Sequence, residues 1–305
     1  MILFHTPAYA ELGKKLATQN GYQVGETEHQ TFPDGERYIR IKTKVLDQEV
    51  FLLGGSYSDV ATMELYDMGC GLVKLGAKRL HMVIPYFGYS TMERAIKPGE
   101  IVTAKNRARL FSSIPQAAYG NRFYAVDLHT GGLPYYFEGA SSVFHVYAKD
   151  IIIQAARDLG GTDFVLASTD AGRAKWVESL ANDIGVRASF VYKRRLSGSE
   201  TMVRSINAQV EGAFVIIYDD MIRTGGSLIG AAKAYLDAGA ERIAVIATHG
   251  VFPQGAIGRI RNSNLIDKIV TTDSHPRALQ MRDQYPDYVQ IYSLDAPLSK
   301  VLQNT

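Results

Sequence analysis

The sequence is poor in several features, and each shortage excludes a class of protein. Cys70 is the one cysteine in 305 residues, so no disulfide can form within the chain and a reducing compartment is expected. No apolar run reaches the roughly 20 residues that a membrane-spanning helix needs, and the amino terminus lacks the pattern of a secretory leader. Charge is nearly balanced, with 33 basic and 31 acidic residues, which disfavours a nucleic-acid-binding protein. We therefore expect a cytoplasmic, water-soluble protein whose partners include neither membrane nor nucleic acid.

Short apolar runs alternate along the chain with segments of helical periodicity. AFVIIYDD (213–220) and RIAVIATHG (242–250) are nearly continuous apolar runs, whereas GSLIGAAKAYLDAGA (226–240) has apolar residues at helical spacing. Continuously apolar strands separated by helices are typical of a parallel sheet that is covered on both faces. The pattern therefore predicts a doubly wound α/β fold.

Two segments of the chain resemble each other. KLGAKRLHMVIPYFG (74–88) and DAGAERIAVIATHGVF (237–252) share the order Gly, Ala, charged residue, Arg and apolar strand. We interpret this as an internal duplication, with a boundary in the region 144–150. Chance similarity between two ordinary strand-helix units is the alternative. The predicted domains are 1–145 and 146–289, with the tail 290–305 packing back on the first.

A phosphate site is indicated by VIIYDDMIRTGGS (215–227), where two acids, an arginine and a Gly-Gly turn follow an apolar strand. In open parallel sheets ligands bind beyond the carboxyl ends of the strands. Gly225 and Gly226 allow the backbone to approach an anion closely, and the start of the following helix supplies amides and a positive dipole end. We expect Thr224 or Ser227 to cap this helix.

The acids in this segment suggest what the ligand is. Asp219 and Asp220 come a few residues before the turn, so a ligand with hydroxyl groups at one end and a phosphate at the other would fit. A ribose 5-phosphate unit has that shape. The alternative is an acidic surface turn before a helix that Gly239 ends.

The segment VIIYDDMIRTGGS is similar to the fingerprint by which phosphoribosyltransferases and ribose-phosphate pyrophosphokinases bind 5-phosphoribosyl 1-diphosphate. Further stretches occur in the order of ribose-phosphate pyrophosphokinase landmarks and cover nearly the whole chain: TFPDGERYIRI (31–41), VIPYFGYSTMER (83–94), VTAKNRARLF (102–111), VDLHTGGLPYYFE (126–138), STDAGRAKWV (168–177), YKRRLSGSE (192–200) and ATHGVF (247–252). The resemblance implies two tandem type I phosphoribosyltransferase domains, each a mainly parallel sheet flanked by helices. It also implies a Mg²⁺-dependent enzyme that moves the β,γ-diphosphate of ATP to the 1-hydroxyl of ribose 5-phosphate.

The resemblance assigns roles to individual positions. The catalytic residues would be Lys193 and Arg195, on a basic loop that we expect to close over ATP as a lid. The residues implied for ATP are Phe32, Asp34, Glu36, Glu93, Arg94 and His129. Those implied for the ribose phosphate are Asp170, Asp219, Asp220, Arg223, Thr224, Gly225, Gly226 and Ser227. Those implied for the metal are Asp127, His129 and Asp170. Because Phe32, Asp34 and Glu36 reach adenine from a neighbouring subunit in this family, a homo-oligomer built from dimers, in many members a hexamer, is implied.

The sequence departs from the family pattern at several positions. Residues 90–94, Ser-Thr-Met-Glu-Arg, stand where the family has Ala-Arg-Gln-Asp-Arg, and Ser142 replaces an acid of the metal-binding stretch. Arg223 replaces an Asp, Arg173 a Gly, and Trp176 an Arg. The added positive charge and an exposed Trp176 suggest the hypothesis that the acceptor is larger, such as ADP-ribose. Two further hypotheses are a non-catalytic regulatory relative and a phosphoribosyltransferase.

Overall fold

The structure, a computed structural model, describes residues 1–195, 201–206 and 210–303, with the backbone alone for 192–195 and 201–206. It separates into two compact units. The first contains residues 1–147 and the carboxyl-terminal residues from Leu294, and the second contains Ala148–Ser293. In the described part of the chain no helix is both long enough and apolar enough to cross a membrane.

The first unit is built on one parallel sheet. Its strands are β1 (Ile2–His5), β2 (Gln23–Val24), β3 (Thr27–Thr31), β4 (Arg37–Ile41), β5 (Glu49–Leu53), β6 (Arg79–Ile84), β7 (Asn121–Val126) and β8 (Ser142–Val146). Its first three helices are α1 (Ala10–Asn20), α2 (Asp59–Lys74) and α3 (Thr103–Ser112). Six strands pair in the order β2-β1-β5-β6-β7-β8, every pair parallel, while β3 and β4 form a separate antiparallel hairpin.

The core of the first unit follows from the strand and helix patterns. The central strands β5 and β6 are almost wholly buried because helices cover both faces of a parallel sheet. Helix α2 begins where the Ser58 hydroxyl accepts a hydrogen bond from the Ala61 amide, 3.1 Å away. It buries Leu65, Met68 and Leu72, which recur at helical spacing, against that sheet.

The second unit repeats this arrangement. Its helices are α4 (Lys149–Gly160), α5 (Ala174–Ile184), α6 (Gly226–Asp237), α7 (Ala256–Asn262) and α8 (Pro276–Gln284). Its strands are β9 (Val165–Ser168), β10 (Arg187–Ser189), β11 (Val191–Arg195), β12 (Thr201–Ile206), β13 (Phe214–Ile222), β14 (Arg242–Gly250), β15 (Lys268–Thr272) and β16 (Val289–Tyr292). The sheet order β10-β9-β13-β14-β15-β16 matches that of the first unit strand for strand, and the β11–β12 hairpin stands where β3–β4 stands. The predicted fold class, two mainly parallel sheets flanked by helices, is confirmed.

The last helix, α9 (Asp295–Leu302), completes the first unit. It contacts α1, where Gln19 donates to Asp295 at 2.7 Å and Ser299 donates to Asn20 at 3.0 Å. In the second unit, α4 contacts α5 in the same way. In each unit, therefore, one helix packs against the helix that follows the first strand, which is α1 after β1 and α5 after β9. The tail is predicted from the sequence to start at residue 290, whereas β16 pairs with β15 and keeps residues up to Ser293 in the second unit.

Unequal strand lengths in the second sheet create a shelf at its carboxyl edge, formed by the residues of β13 that extend beyond β9. Strand β9 stops pairing with β13 at Ser168, opposite Tyr218, but β13 continues beside β14 as far as Ile222. The residues of β13 beyond Tyr218 therefore have a strand on one side and the turn after β9 on the other. Asp219 and Asp220 lie there, inside the strand rather than at its end as the sequence suggested, because β14 extends equally far.

Candidate functional site

The turn between β13 and α6 has the geometry of an anion-binding loop. Gly225 has φ +83°, a left-handed conformation that favours glycine, and it is the N-cap residue immediately before α6. A Cβ at Gly225 would lie 2.5 Å from Ile260 Cγ1, so a larger residue would have to displace the Ile260 side chain or the turn itself. The prediction that Thr224 or Ser227 caps α6 is wrong, because the left-handed Gly225 occupies the cap position and no side chain caps the helix. The predicted stop is confirmed, as Gly239 follows the helix with φ +93°.

The open side of this turn faces solvent. The first amides of an α-helix have no partner within the helix and carry the positive end of its dipole. Thr224, Gly226 and Ser227 are exposed, and a Cβ at Gly226 would meet no described atom within 4 Å beyond its chain neighbours. The turn thus presents backbone donors to a space in which an anion can bind.

Two carboxylates and an arginine meet on the shelf formed by β13. The Thr169 hydroxyl donates to Asp219 Oδ2 at 2.9 Å, and Asp219 Oδ1 accepts from the Asp220 amide at 2.9 Å. Asp220 is buried, and its Oδ2 lies 2.5 Å from Arg173 Nη2. A buried carboxylate is costly unless a positive charge compensates it, and Arg173 provides that charge for Asp220.

This environment changes the titration of Asp219. Burial, and then the neighbouring charge of Asp220, raise the pKa of Asp219 to about 7, while the Thr169 hydroxyl and Arg173 act in the opposite direction. The protonated form of the Asp219 carboxyl is therefore more favoured than in an ordinary aspartate. Such a pair can both accept and donate hydrogen bonds, which suits the vicinal hydroxyls of a sugar.

Asp170 lies in the turn that precedes Arg173. Its Oδ1 accepts from the Gly172 amide at 2.8 Å and caps a single turn of 3-10 helix over Ala171–Arg173. The expectation that Trp176 is exposed is wrong, because it is half-buried on α5. Arg173 is likewise engaged with Asp220 rather than available to a second phosphate.

In the first unit, Asp127 and His129 follow the carboxyl end of β7, whose counterpart in the second unit is β15. Asp127 is buried with φ +37°, and its amide donates to Val146 O at 3.0 Å, so the chain leaves β7 in a sharp turn. The next amide, of Leu128, donates to His145 Nε2 at 3.0 Å. Sequence reasoning missed His145, since its partner is 17 residues away on another strand end.

The segment predicted to contact ATP is held by its backbone. Ser90 is buried, and Glu93 O accepts from the Tyr136 hydroxyl at 2.5 Å. The Glu93 and Arg94 side chains face each other, with Oε1 and Nε 3.5 Å apart. The structure therefore brings these two together and leaves Arg94 largely exposed.

The third landmark of the first unit is the tip of the β3–β4 hairpin. Gly35 has φ +93°, and Asp34 Oδ1 accepts from the Glu36 amide at 3.0 Å, so Asp34 stabilises the turn itself. Phe32 is 40% exposed, with its ring centroid 6.3 Å from that of Tyr38. An exposed aromatic ring beside acceptor groups remains suited to a purine.

A buried carboxylate anchors this hairpin. Arg37 Nη2 on β4 donates to Glu64 Oε1 on α2 at 2.6 Å, and His29 Nδ1 on β3 lies 3.2 Å from the same oxygen. Glu64 is buried, whereas the Arg37 side chain is 34% exposed, so the carboxylate end of this ion pair is shielded from water and the guanidinium end is only partly so. The sequence contained no signal for this pair.

Lys193 and Arg195 belong to β11, which pairs with β12 in an antiparallel hairpin that has an irregularity after Tyr192. Their side chains, and the predicted lid residues 196–200, lie outside the described residues.

Comparisons with known proteins agree with this architecture. A family model described as the N-terminal domain of ribose phosphate pyrophosphokinase matches residues 1–114, and one described as the phosphoribosyl synthetase-associated domain matches residues 197–294. The ribose-phosphate pyrophosphokinase of Fusobacterium nucleatum is 32% identical over 304 residues, covering 98% of this chain and 93% of its own. That of Thermococcus kodakarensis is 30% identical over 273 residues, covering 89% and 93%.

A solved structure extends the similarity to three dimensions. The crystal structure of phosphoribosylpyrophosphate synthetase from Mycobacterium smegmatis matches with a TM-score of 0.86 and 26% identity, covering 100% of this chain and 99% of that one. Fold, landmarks and relatives point the same way, and the chain belongs to the ribose-phosphate pyrophosphokinase family.

Proposed function

We propose that this chain transfers the β,γ-diphosphate of ATP to the 1-hydroxyl of ribose 5-phosphate and releases AMP and 5-phosphoribosyl 1-diphosphate. The observation that supports this most strongly is the adjacency, within one strand and one turn, of Asp219 and Asp220 to the glycine turn that begins α6. Membership of a family whose named relatives are ribose-phosphate pyrophosphokinases supports the same reaction.

The second unit is proposed to bind the sugar. Amides of the turn from Thr224 to Ser227 would hold the 5-phosphate, because unpaired donors at a positive helix end favour an anion. Asp219 and Asp220 would accept hydrogen bonds from the ring hydroxyls. Arg223 is exposed beside the turn and adds a cation for the same phosphate.

The first unit is proposed to bind ATP. Glu93, Arg94 and His129 would contact the nucleotide, with Phe32, Asp34 and Glu36 contributed to the adenine by a neighbouring copy in a homo-oligomer. The Lys193 and Arg195 side chains would neutralise charge that spreads over the transferring diphosphoryl group. Phosphoryl transfer depends mainly on such positioning and charge stabilisation.

The donor groups fit a Mg²⁺ ion that is held largely by substrate. Among the described residues no three acidic, histidine or cysteine side chains cluster as a metal site. Mg²⁺ commonly takes only one or two carboxylates and completes its shell with water and phosphate oxygens. Asp127 and His129 would serve a nucleotide-bound ion and Asp170 one at the sugar. When bound, the ion would offset the charge of the diphosphate.

The larger acceptor, ADP-ribose, gains nothing from the geometry. Its hypothesis drew on added positive charge at Arg173 and Arg223 and on an exposed Trp176. Arg173 pairs with Asp220 and Trp176 is half-buried. Arg223 is exposed, but one cation beside the turn serves the 5-phosphate of ribose 5-phosphate equally well. Ribose 5-phosphate is therefore the acceptor that we propose.

The test is to incubate purified protein with ATP and Mg²⁺, adding ribose 5-phosphate, ADP-ribose, ribose or no acceptor. AMP release and phosphorus NMR of the sugar product are measured. The proposal expects AMP and a sugar 1-diphosphate in equal amounts with ribose 5-phosphate, and a loss of orders of magnitude in Lys193→Ala. Faster turnover with ADP-ribose, or consumption of a free base without ATP, would reject it.

A further inference from the structure

We infer that Arg259, on α7, is a positioning residue of the phosphate-binding turn. It fixes the peptide between Thr224 and Gly225 so that the Gly225 amide is directed toward the ligand. This inference deepens the proposed function, because it concerns the turn that is proposed to hold the 5-phosphate. It assigns part of the affinity for that group to a side chain that lies behind the turn and outside the contact surface.

Peptide geometry couples the two sides of this turn. In a trans peptide the carbonyl of one residue and the amide of the next point in opposite directions. Arg259 Nη1 donates to Thr224 O at 3.1 Å, which fixes that carbonyl toward α7. The Gly225 amide must then point away from α7, to the open side of the turn.

A second carbonyl of the turn is held in the same manner. Ile222 O accepts from the amides of Val251 and Phe252, both at 3.1 Å, where the chain leaves β14. The Arg223 amide is thereby directed away from Val251 and Phe252. Two carbonyls of the turn are thus held by partners outside it, which directs the amides of Arg223 and Gly225 away from those partners.

The turn needs the hydrogen bond from Arg259 because it contains Gly225, whose backbone is flexible. Rotation of the peptide before Gly225 changes ψ of Thr224 and φ of Gly225, and glycine is permissive for both signs of φ. The contact of Ile260 with Gly225 restricts the position of the turn but offers no polar partner to its carbonyl. Arg259 supplies that partner, and a charged donor makes a stronger hydrogen bond than a neutral one.

Arg261 provides a matched control on the same helix. It is exposed, like Arg259, and its guanidinium lies 5.8 Å from the centre of the Tyr285 ring. Loss of its charge changes the electrostatic field near the turn without removing the bond to Thr224. The pair therefore separates a positional effect from a general effect of positive charge.

The experiment compares Arg259→Met, Arg259→Lys and Arg261→Met with the wild type. Binding of ribose 5-phosphate is measured by calorimetry without ATP, and KM is measured for ribose 5-phosphate and for ATP. We expect Arg259→Met to raise the dissociation constant and the KM for ribose 5-phosphate about tenfold, equivalent to about 1.4 kcal/mol, with the KM for ATP unchanged. Arg259→Lys, which keeps a charged donor, should recover most of the loss, and Arg261→Met should match the wild type.

Further outcomes separate this inference from the proposed reaction. Two outcomes would overturn the inference but not the proposed reaction. One is turnover by Arg259→Met with an unchanged KM for ribose 5-phosphate. The other is an equal loss of ribose 5-phosphate affinity in Arg261→Met. If the wild type binds ribose 5-phosphate but makes no product, and Arg259→Met binds it more weakly, the inference is supported and the proposed reaction is rejected. A wild type that neither binds ribose 5-phosphate nor turns over would reject both. Arg259 is exposed, so the variants should fold, and Arg259→Gln is a second truncation if the first does not.

Discussion

The ion pair between Arg173 and Asp220 should be among the strongest polar interactions of the second unit. The two side chains are 22% and 6% exposed, and the atoms Nη2 and Oδ2 are 2.5 Å apart. Removal of one partner from a fully buried pair costs about 3–5 kcal/mol, because the other charge is left without compensation. Since Arg173 keeps some contact with water, we expect Arg173→Ala to lower the free energy of unfolding by about 2–3 kcal/mol.

A double-mutant cycle measures the pair directly. Unfolding in urea is followed for Arg173→Ala, Asp220→Asn and the double variant, and we expect a coupling energy of about 2 kcal/mol. The control is Lys233 with Asp237 on α6, at 3.1 Å but 67% and 62% exposed, whose coupling should be about 0.3–0.5 kcal/mol. A coupling no larger than that of the control would show that Asp220 is not held as a buried charge, and the reasoning about the shelf would be refuted.

Three further results are expected. Burial, more than any other cause, lowers the pKa of His275 to about 3. Its neutral form therefore stabilises the fold above about pH 6.5, and that contribution is lost as pH falls toward 3. The free energy of unfolding in urea should differ less between pH 7 and pH 4.5 in His275→Asn than in the wild type. Gly225→Ala should raise the KM for ribose 5-phosphate at least about tenfold, because a Cβ is unfavourable at φ +83° and would clash with Ile260. An unchanged KM in steady-state kinetics would contradict this. Glu64→Gln should raise the KM for ATP roughly three- to tenfold and leave the KM for ribose 5-phosphate unaltered, because the charge that anchors Arg37 of the β3–β4 hairpin is lost. Equal effects on the KM values of both substrates would contradict the assignment of that hairpin to the nucleotide.

Local patterns in the sequence predicted most of the architecture. Apolar runs and helical spacing specify strands and helices wherever they are continuous, as in β13 and α6, and the repeated Gly-Ala-charged-Arg motif indicated two like sheets. The glycine turn and its acids were predicted because their chemistry lies within a few consecutive residues. The fold class could be predicted because strands and helices alternate along the chain in both units.

Contacts between distant residues could not be predicted in this way. Arg173 meets Asp220 because β9 ends where β13 continues, and strand lengths at a sheet edge are set by the whole sheet. The cap of α6 was predicted from side-chain preference, but the structure places Gly225 there with φ +83°, next to Ile260 of the distant helix α7. The Leu128 bond to His145 likewise joins two strand ends and has no local pattern.

The departures from the family pattern acquire physical meaning only from such contacts. An arginine in place of glycine at position 173 suggests, from the sequence, extra charge for a phosphate. In the structure it serves as the counter-ion of a buried aspartate, and Arg173 and Asp220 together leave the site with less net charge than the substitution alone suggests. A substitution near a site is therefore interpreted from what its side chain contacts.

The central claim is that the turn before α6 binds the phosphate of the sugar while the acids of β13 bind its hydroxyls. A crystal structure of the protein with ribose 5-phosphate, AMP and Mg²⁺ tests this most directly. The account predicts phosphate oxygens within hydrogen-bonding distance of the amides from Gly225 to Ser227, and sugar hydroxyls within reach of Asp219 or Asp220. A sugar phosphate bound elsewhere, with this turn occupied by water alone, would contradict it.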